Sequence, residues 1–170
     1  MKFRMFACLA LAMTAAVAYA QNVTTDSDPS APFATYKTYA WTEGTPSPNP
    51  LGEQRIHAAV DAQLAGKGLT RVDSAPNLYV ATHVLTHEQK EVVANGFGPW
   101  WGGGFTANVE TYVQGTLIVD LYDASTRKMV WRGVATGTAS DKPSKNTSKI
   151  DKALAKMFQR YPSSVTSDRR

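Results

Sequence analysis

From Asn108 to Asp123 the sequence alternates. Val109, Thr111, Val113, Gly115, Leu117, Val119 and Leu121 fall on one side, and Glu110, Tyr112, Gln114, Thr116, Asp120 and Tyr122 on the other. A repeat of two residues belongs to an extended strand with one face packed and the other turned to water, the usual state of antiparallel sheets. Asp123-Ala-Ser-Thr-Arg-Lys128 then supplies a hairpin turn with Asp123 at its first position, and Met129 to Ala139 returns as the partner strand. Gly133 and Gly137 in that partner point to close packing or a bulge.

The other elements arrange themselves around this hairpin. Tyr39 and Trp41 alternate about Ala40 in a short first strand, which the prolines of Glu43 to Pro50 end. Leu51 to Gly66 reads as a helix, with Ile56, Ala59, Val60, Gln63 and Leu64 at helical spacing and Gly66 or Gly68 able to take the left-handed stop. Leu69 to Val72 is a short strand, and Leu78 to Val92 a longer one with Leu78, Val80, Thr82 and Val84 on one side and Tyr79, Ala81, His83 and Leu85 on the other. A last helix is expected from Ser148, where Ser148 and Asp151 make a capping pattern, to just before Pro162. Its stripe is Ile150, Ala153, Leu154, Met157, Phe158 and Tyr161. The sum is an α+β domain over residues 33–162, an antiparallel sheet of about five strands with both helices on one face.

Residues 1–20 carry the marks of a cleaved secretory signal: Lys2 and Arg4, an apolar stretch from Met5 to Val17, and Ala18-Tyr19-Ala20. The expected address is the periplasm or the exterior. Most of the apolar stretch follows Cys8 rather than preceding it, which does not fit a lipidation signal, so no lipid anchor and no integral membrane span are expected. Removing 20 of the 170 residues leaves 150 without a cysteine, so the fold must rest on packing rather than disulfides. Residues 21–32 are polar and proline-bearing, with Val23 as their one large apolar side chain, and read as a flexible leader; residues 163–170 read as a disordered tail.

Charge excludes one class of partner. Of 18 Lys and Arg, Lys2 and Arg4 leave with the signal, and 16 against 14 Asp and Glu is no nucleic-acid profile. Lys142, Lys145, Lys149, Lys152, Lys156 and Arg160 form a basic stripe, readable as the solvated face of the last helix or as an attraction for phosphates or anionic lipid.

Candidate chemistry is sparse. His83 and His87 have a spacing that chelates a metal from a helix, but on a strand four residues span about 13 Å, so no metal or other cofactor is expected. His57 falls on the polar side of the first helix. Glu88, Glu91, Glu110, Asp120 and Asp123 could supply the paired carboxyls of glycan hydrolysis only if folding set two of them about 5–9.5 Å apart. No catalytic residue is assigned. Between Asn95 and Phe105, five glycines surround Phe97, Trp100, Trp101 and Phe105, a candidate interaction loop for an envelope protein, peptidoglycan or a membrane surface, or else a connection whose rings fold back to close the core. Tyr112 and Tyr122, with Tyr79, make a candidate aromatic patch on the sheet face away from the helices.

The strings YKTYAW, GLTRVDSAPNLYVATHV, GTLIVDLYDASTRKMVWRGVATG and MFQRYP together resemble the domain of unknown function 4136 family over Phe33 to Pro162. The resemblance implies a bacterial envelope protein, often a lipoprotein, with an α+β sandwich of antiparallel sheet and two helices; the signal here departs from the lipoprotein pattern. It brings no active site. The expected function is a non-catalytic binding or assembly module, and the alternative is a small secreted enzyme acting on envelope glycans.

Overall fold

A computed structural model describes residues 22–96 and 105–162. The expected signal and tail, and Phe97, Trp100 and Trp101, lie outside the described residues.

The strands are β1 (Asn22–Ser27), β2 (Thr38–Trp41), β3 (Thr70–Arg71), β4 (Leu78–Gly96), β5 (Phe105–Asp123) and β6 (Met129–Thr138). Two helices, α1 (Pro50–Gly66) and α2 (Pro143–Gln159), complete the fold with a short 3₁₀ turn at Phe33–Thr35. One six-stranded sheet runs in the order β1-β6-β5-β4-β2-β3.

The sheet is mixed rather than purely antiparallel. β4, β5, β6 and β1 pair antiparallel, whereas β2 lies parallel to both β3 and β4. The cause is the helix between β2 and β4: a strand joined to its neighbour through a helix returns in the same direction. The sixth strand comes from the stretch read as a mobile leader. Asn22–Ser27 pairs with Trp131–Thr136 of β6, and Val23 reaches the core at 5% exposure. Ordered ladder bonds and that one buried side chain hold a segment whose composition alone offers no reason for order.

Both helices pack on one face. α1 contributes Ile56, Val60 and Leu64, and α2 contributes Ala153, Leu154, Met157 and Phe158. They meet Leu78, Val80, Leu117, Val119, Leu121 and Trp131 of the sheet in one cluster. Asn49 caps α1 by accepting from the amides of Leu51 and Gly52, and Gly68, at φ 82°, makes the left-handed exit. α2 begins six residues, nearly two turns, earlier than the Ser148 cap predicts. Pro143 occupies its first position, Lys142 stands at the cap without a side-chain bond, and Asn146 ties the incoming chain by accepting from Ser140 N and donating to Ser140 O, both at 2.7 Å. The extra residues, Pro143 to Ser148, include no large aliphatic or aromatic side chain, so periodicity could not reveal them.

Candidate functional site

Three features stand apart from the ordinary core. The first is on the sheet face opposite the helices, where Asp120 is fully buried. Register sets Asp120 of β5 beside Arg132 of β6. The guanidinium grips the carboxylate through two bonds of 2.7 Å, from Nε and Nη2. Tyr122 donates to the same carboxylate at 3.4 Å, and His83 Nε2 stands 3.5 Å away while its Nδ1 accepts from Thr45 N. The Arg132 proton is held more tightly chiefly through the Asp120 bond, and burial, with Asp120 adding to it, pushes the Tyr122 hydroxyl up. The half-exposed guanidinium answers the cost of taking the Asp120 carboxylate from water. Tyr122 is therefore half-buried and committed to Asp120. Tyr79 lies across from it on β4, and Tyr112, also half-buried, lies across from Gln89.

His57 is less solvent-facing in role than the sequence implies. It stacks on Trp41, centroids 3.9 Å apart, and meets Glu53 Oε1 at 2.9 Å. Asp61 accepts from Tyr39 Oη and Trp41 Nε1, which fastens α1 to β2. His83 and His87 both stand on the extended strand β4.

The second feature is a ribbon. β5 leaves β6 at Gln114, where Gln114 pairs with Thr138, and β4 has its last contact with the β2 side at Val84. Beyond the Val113 carbonyl, which accepts from Ala139 N at 2.8 Å, the two strands pair only with each other among the described residues, from Gln89↔Tyr112 to Gly96↔Phe105. At ~3.3 Å per residue they extend about 23 Å beyond the rest of the sheet. Val109 is 61% exposed and Val113 38%. Gly96 and Phe105 are the ribbon's last pair, so the candidate loop joins its far end.

The third feature, missed by sequence reasoning, is a groove of about 370 Å³ between the N-terminal halves of α1 and α2. Val84, Leu117 and Ala135 floor its inner part, and the next row outward is Thr86, Gly115 and Gly137. Ile56 of α1 and Ile150 and Ala153 of α2 form the walls. Arg55, Lys149 and Asp141 supply the charges, with Lys149 Nζ donating to Thr138 O at 2.8 Å. Counting back from the Asp123 turn sets Gly115 against Thr136, and only the bulge between Leu121 and Tyr122 brings it opposite Gly137, so the hairpin pattern carried no signal for the groove.

Residues 23–163 match the family model described as a domain of unknown function, DUF4136. The chain belongs to the DUF4136 family. The match begins at β1, ten residues before the stretch that carried the resemblance. No curated protein matches the sequence. The DUF4136 chain is similar in structure to a PDZ domain protein from Parabacteroides distasonis, at 16% identity and TM-score 0.58, over 82% of this chain and 35% of that one. It thus spans about a third of that protein's length. It is also similar to a PelC dodecamer from Paraburkholderia phytofirmans, at 17% identity and TM-score 0.50, over 83% and 99% of the two chains. A lipoprotein, GNA1162 from Neisseria meningitidis, is 10% identical with TM-score 0.43, over 72% and 98%. At these identities the likeness is one of fold. Among the described residues, no helix of the DUF4136 chain is long and apolar enough to cross a membrane.

Proposed function

We propose that this protein is an exported, non-catalytic assembly and binding module of the bacterial cell envelope, and that its β4–β5 ribbon is the contact element. The observation that carries the reading is that, among the described residues, no other strand pairs with the ribbon. A two-stranded ribbon is at best marginally stable alone in water, and open strand edges invite pairing. This one also exposes Val109 and Val113 and ends at the segment holding Phe97, Trp100 and Trp101. The signal features of residues 1–20 support the address. The PelC likeness supports self-assembly as a use of the fold, since that protein forms a dodecamer. Hydrolysis of glycans has less behind it. The groove gathers one carboxylate among the described residues, Asp141, where two are needed. The carboxyls of Asp28 and Asp123 are held below their ordinary range, Asp28 by Ser30 and Asp123 by Ser125, opposite to the shift a general acid requires.

The test is a chain in which residues 91–110 are replaced by Asn-Gly, which keeps the Lys90↔Thr111 pairing and closes a two-residue turn. Thermal unfolding should remain cooperative, and the envelope retention and oligomeric sedimentation of the intact protein should both be lost. A shortened protein that folds, sediments as before and stays with the envelope would refute the ribbon's role.

A further inference from the structure

The groove is floored by a choice that a sheet built only for stability would avoid. Gly115 and Gly137 are direct partners across β5 and β6 on the helix-covered face, and Thr86 completes their row. Glycine inside a strand forfeits side-chain packing and conformational stability, and facing glycines forfeit both members of a cross-strand pair. A side chain would fit at Gly115: a Cβ placed there meets nothing nearer than the Gly137 carbonyl oxygen at 3.8 Å. The same face elsewhere behaves differently, since a Cβ at Gly133 would strike the Trp131 ring at 2.7 Å. Gly133 is required by its neighbours, whereas Gly115 keeps a space empty. Glycine in a strand commonly marks the close approach of a ligand.

The space has a chemical character. Its inner surface is aliphatic, from Val84, Leu117, Ile56 and Ile150, and its volume lies at the small end of the roughly 300–1,000 Å³ range of small-molecule sites. Its mouth is cationic. Arg55 and Lys149 line it from opposite helices against the single Asp141. α2 opens beside it with no acidic residue in its first turn; Lys142 and Lys145 stand there instead. Lysines at the positive end of a helix are electrostatically unfavourable unless an anion accompanies them.

We propose that this groove binds one medium-chain fatty carboxylate, its alkyl chain lying over Gly115 and Gly137 and its head group at the mouth between Arg55 and Lys149. One alkyl chain suits the volume better than the two of a phospholipid. This site is separate from the ribbon, and neither proposal depends on the other.

Calorimetric titration of the intact protein with sodium laurate, kept below its micelle concentration, tests the assignment, with dodecanol as the uncharged comparison and acetate as the head group alone. Laurate should bind saturably and acetate should not. Gly115→Leu should fill the floor and weaken laurate by at least about tenfold while thermal stability holds or rises. Thr86→Phe gives a second blocking variant, because an aromatic ring laid across a facing strand glycine stabilises the pair. Arg55→Gln should weaken laurate by up to about fivefold and leave dodecanol unchanged, the scale of an exposed ion pair. Laurate affinity untouched by both folded blocking variants overturns the site, and equal binding of laurate and dodecanol overturns the carboxylate assignment.

Discussion

The two ends of the helical layer use one sheet and one pair of helices, yet they are finished in opposite ways. Near the C-terminus of α2, Trp131, Phe158 and Tyr161 pack with centroids 5.1 Å and 5.9 Å from Trp131, and Phe33 meets Tyr161 edge-on at 5.5 Å. Rings close that end so fully that Trp131 Nε1 and the Tyr161 hydroxyl are buried with no hydrogen-bond partner among the described residues, and burial raises the Tyr161 hydroxyl to about 12. Near the N-termini of the same helices, the sheet offers Gly115 and Gly137, and the layer parts into the groove. The contrast teaches that a helix pair spanning a long twisted sheet closes only where side chains are large enough to fill the gap.

The closed end should therefore carry the stability. Phe158→Ala removes a fully buried ring from the cluster and is expected to cost about 3–5 kcal/mol in urea unfolding. A loss near that of an exposed position would break the comparison, since the aromatic end would then be no firmer than the open one. A smaller but more discriminating effect comes from the two glycines. Gly133→Val forces a side chain against the Trp131 ring and against Met157 Sδ, 2.9 Å from the added Cβ, and should destabilise by about 1–3 kcal/mol. Gly115→Val meets open space and should stabilise by about 0.5–1 kcal/mol. Opposite signs on one sheet face would sharpen the contrast, and equal losses would show that the groove is not free space.

Much of this architecture is legible in the sequence where side chains repeat. The alternation of Asn108–Asp123 gives β5 its inner face, with Leu117, Val119 and Leu121 buried as expected, and the Asp123 turn gives the hairpin. α1 is found within one residue of its expected start. What escaped lacks repetition or depends on register. β1 is a polar edge strand whose one buried side chain is Val23, and β2 runs parallel only because α1 intervenes. Asp120 looks like an outward polar residue in the alternation, yet it is fully buried, with Arg132 gripping it from the neighbouring strand. Tyr112 and Tyr122 sit on the face the pattern assigns them, but the Tyr122 bond to Asp120 is invisible until strands are paired. The groove is hidden for the same reason, because a glycine's meaning depends on what faces it.

The smallest expected effect separates the ends by pH. Asp123 belongs to the closed end: its carboxylate accepts from Ser125 Oγ at 2.6 Å, from Thr126 N, and from Tyr36 Oη at 2.8 Å, while Tyr36 packs edge-on against Phe33. Those donors, the Ser125 hydroxyl foremost, hold the carboxyl well below the usual carboxylate range. A carboxyl that ionises more readily folded than unfolded stabilises the fold above its ordinary value of 3.8, and that stabilisation is lost as pH falls through the lower folded-state value. Asp123→Asn should be less stable than the intact protein at about pH 7, and the gap should narrow as pH drops below about 4. Gly115→Val touches no carboxylate, so its offset should be the same at both ends of that range. Urea unfolding of the three proteins at about pH 7 and about pH 3 measures both differences. An Asp123→Asn gap that stays constant with pH would mean that the Ser125, Thr126 and Tyr36 bonds do not distinguish ionised from neutral Asp123, and the closed end would then rest on its rings alone.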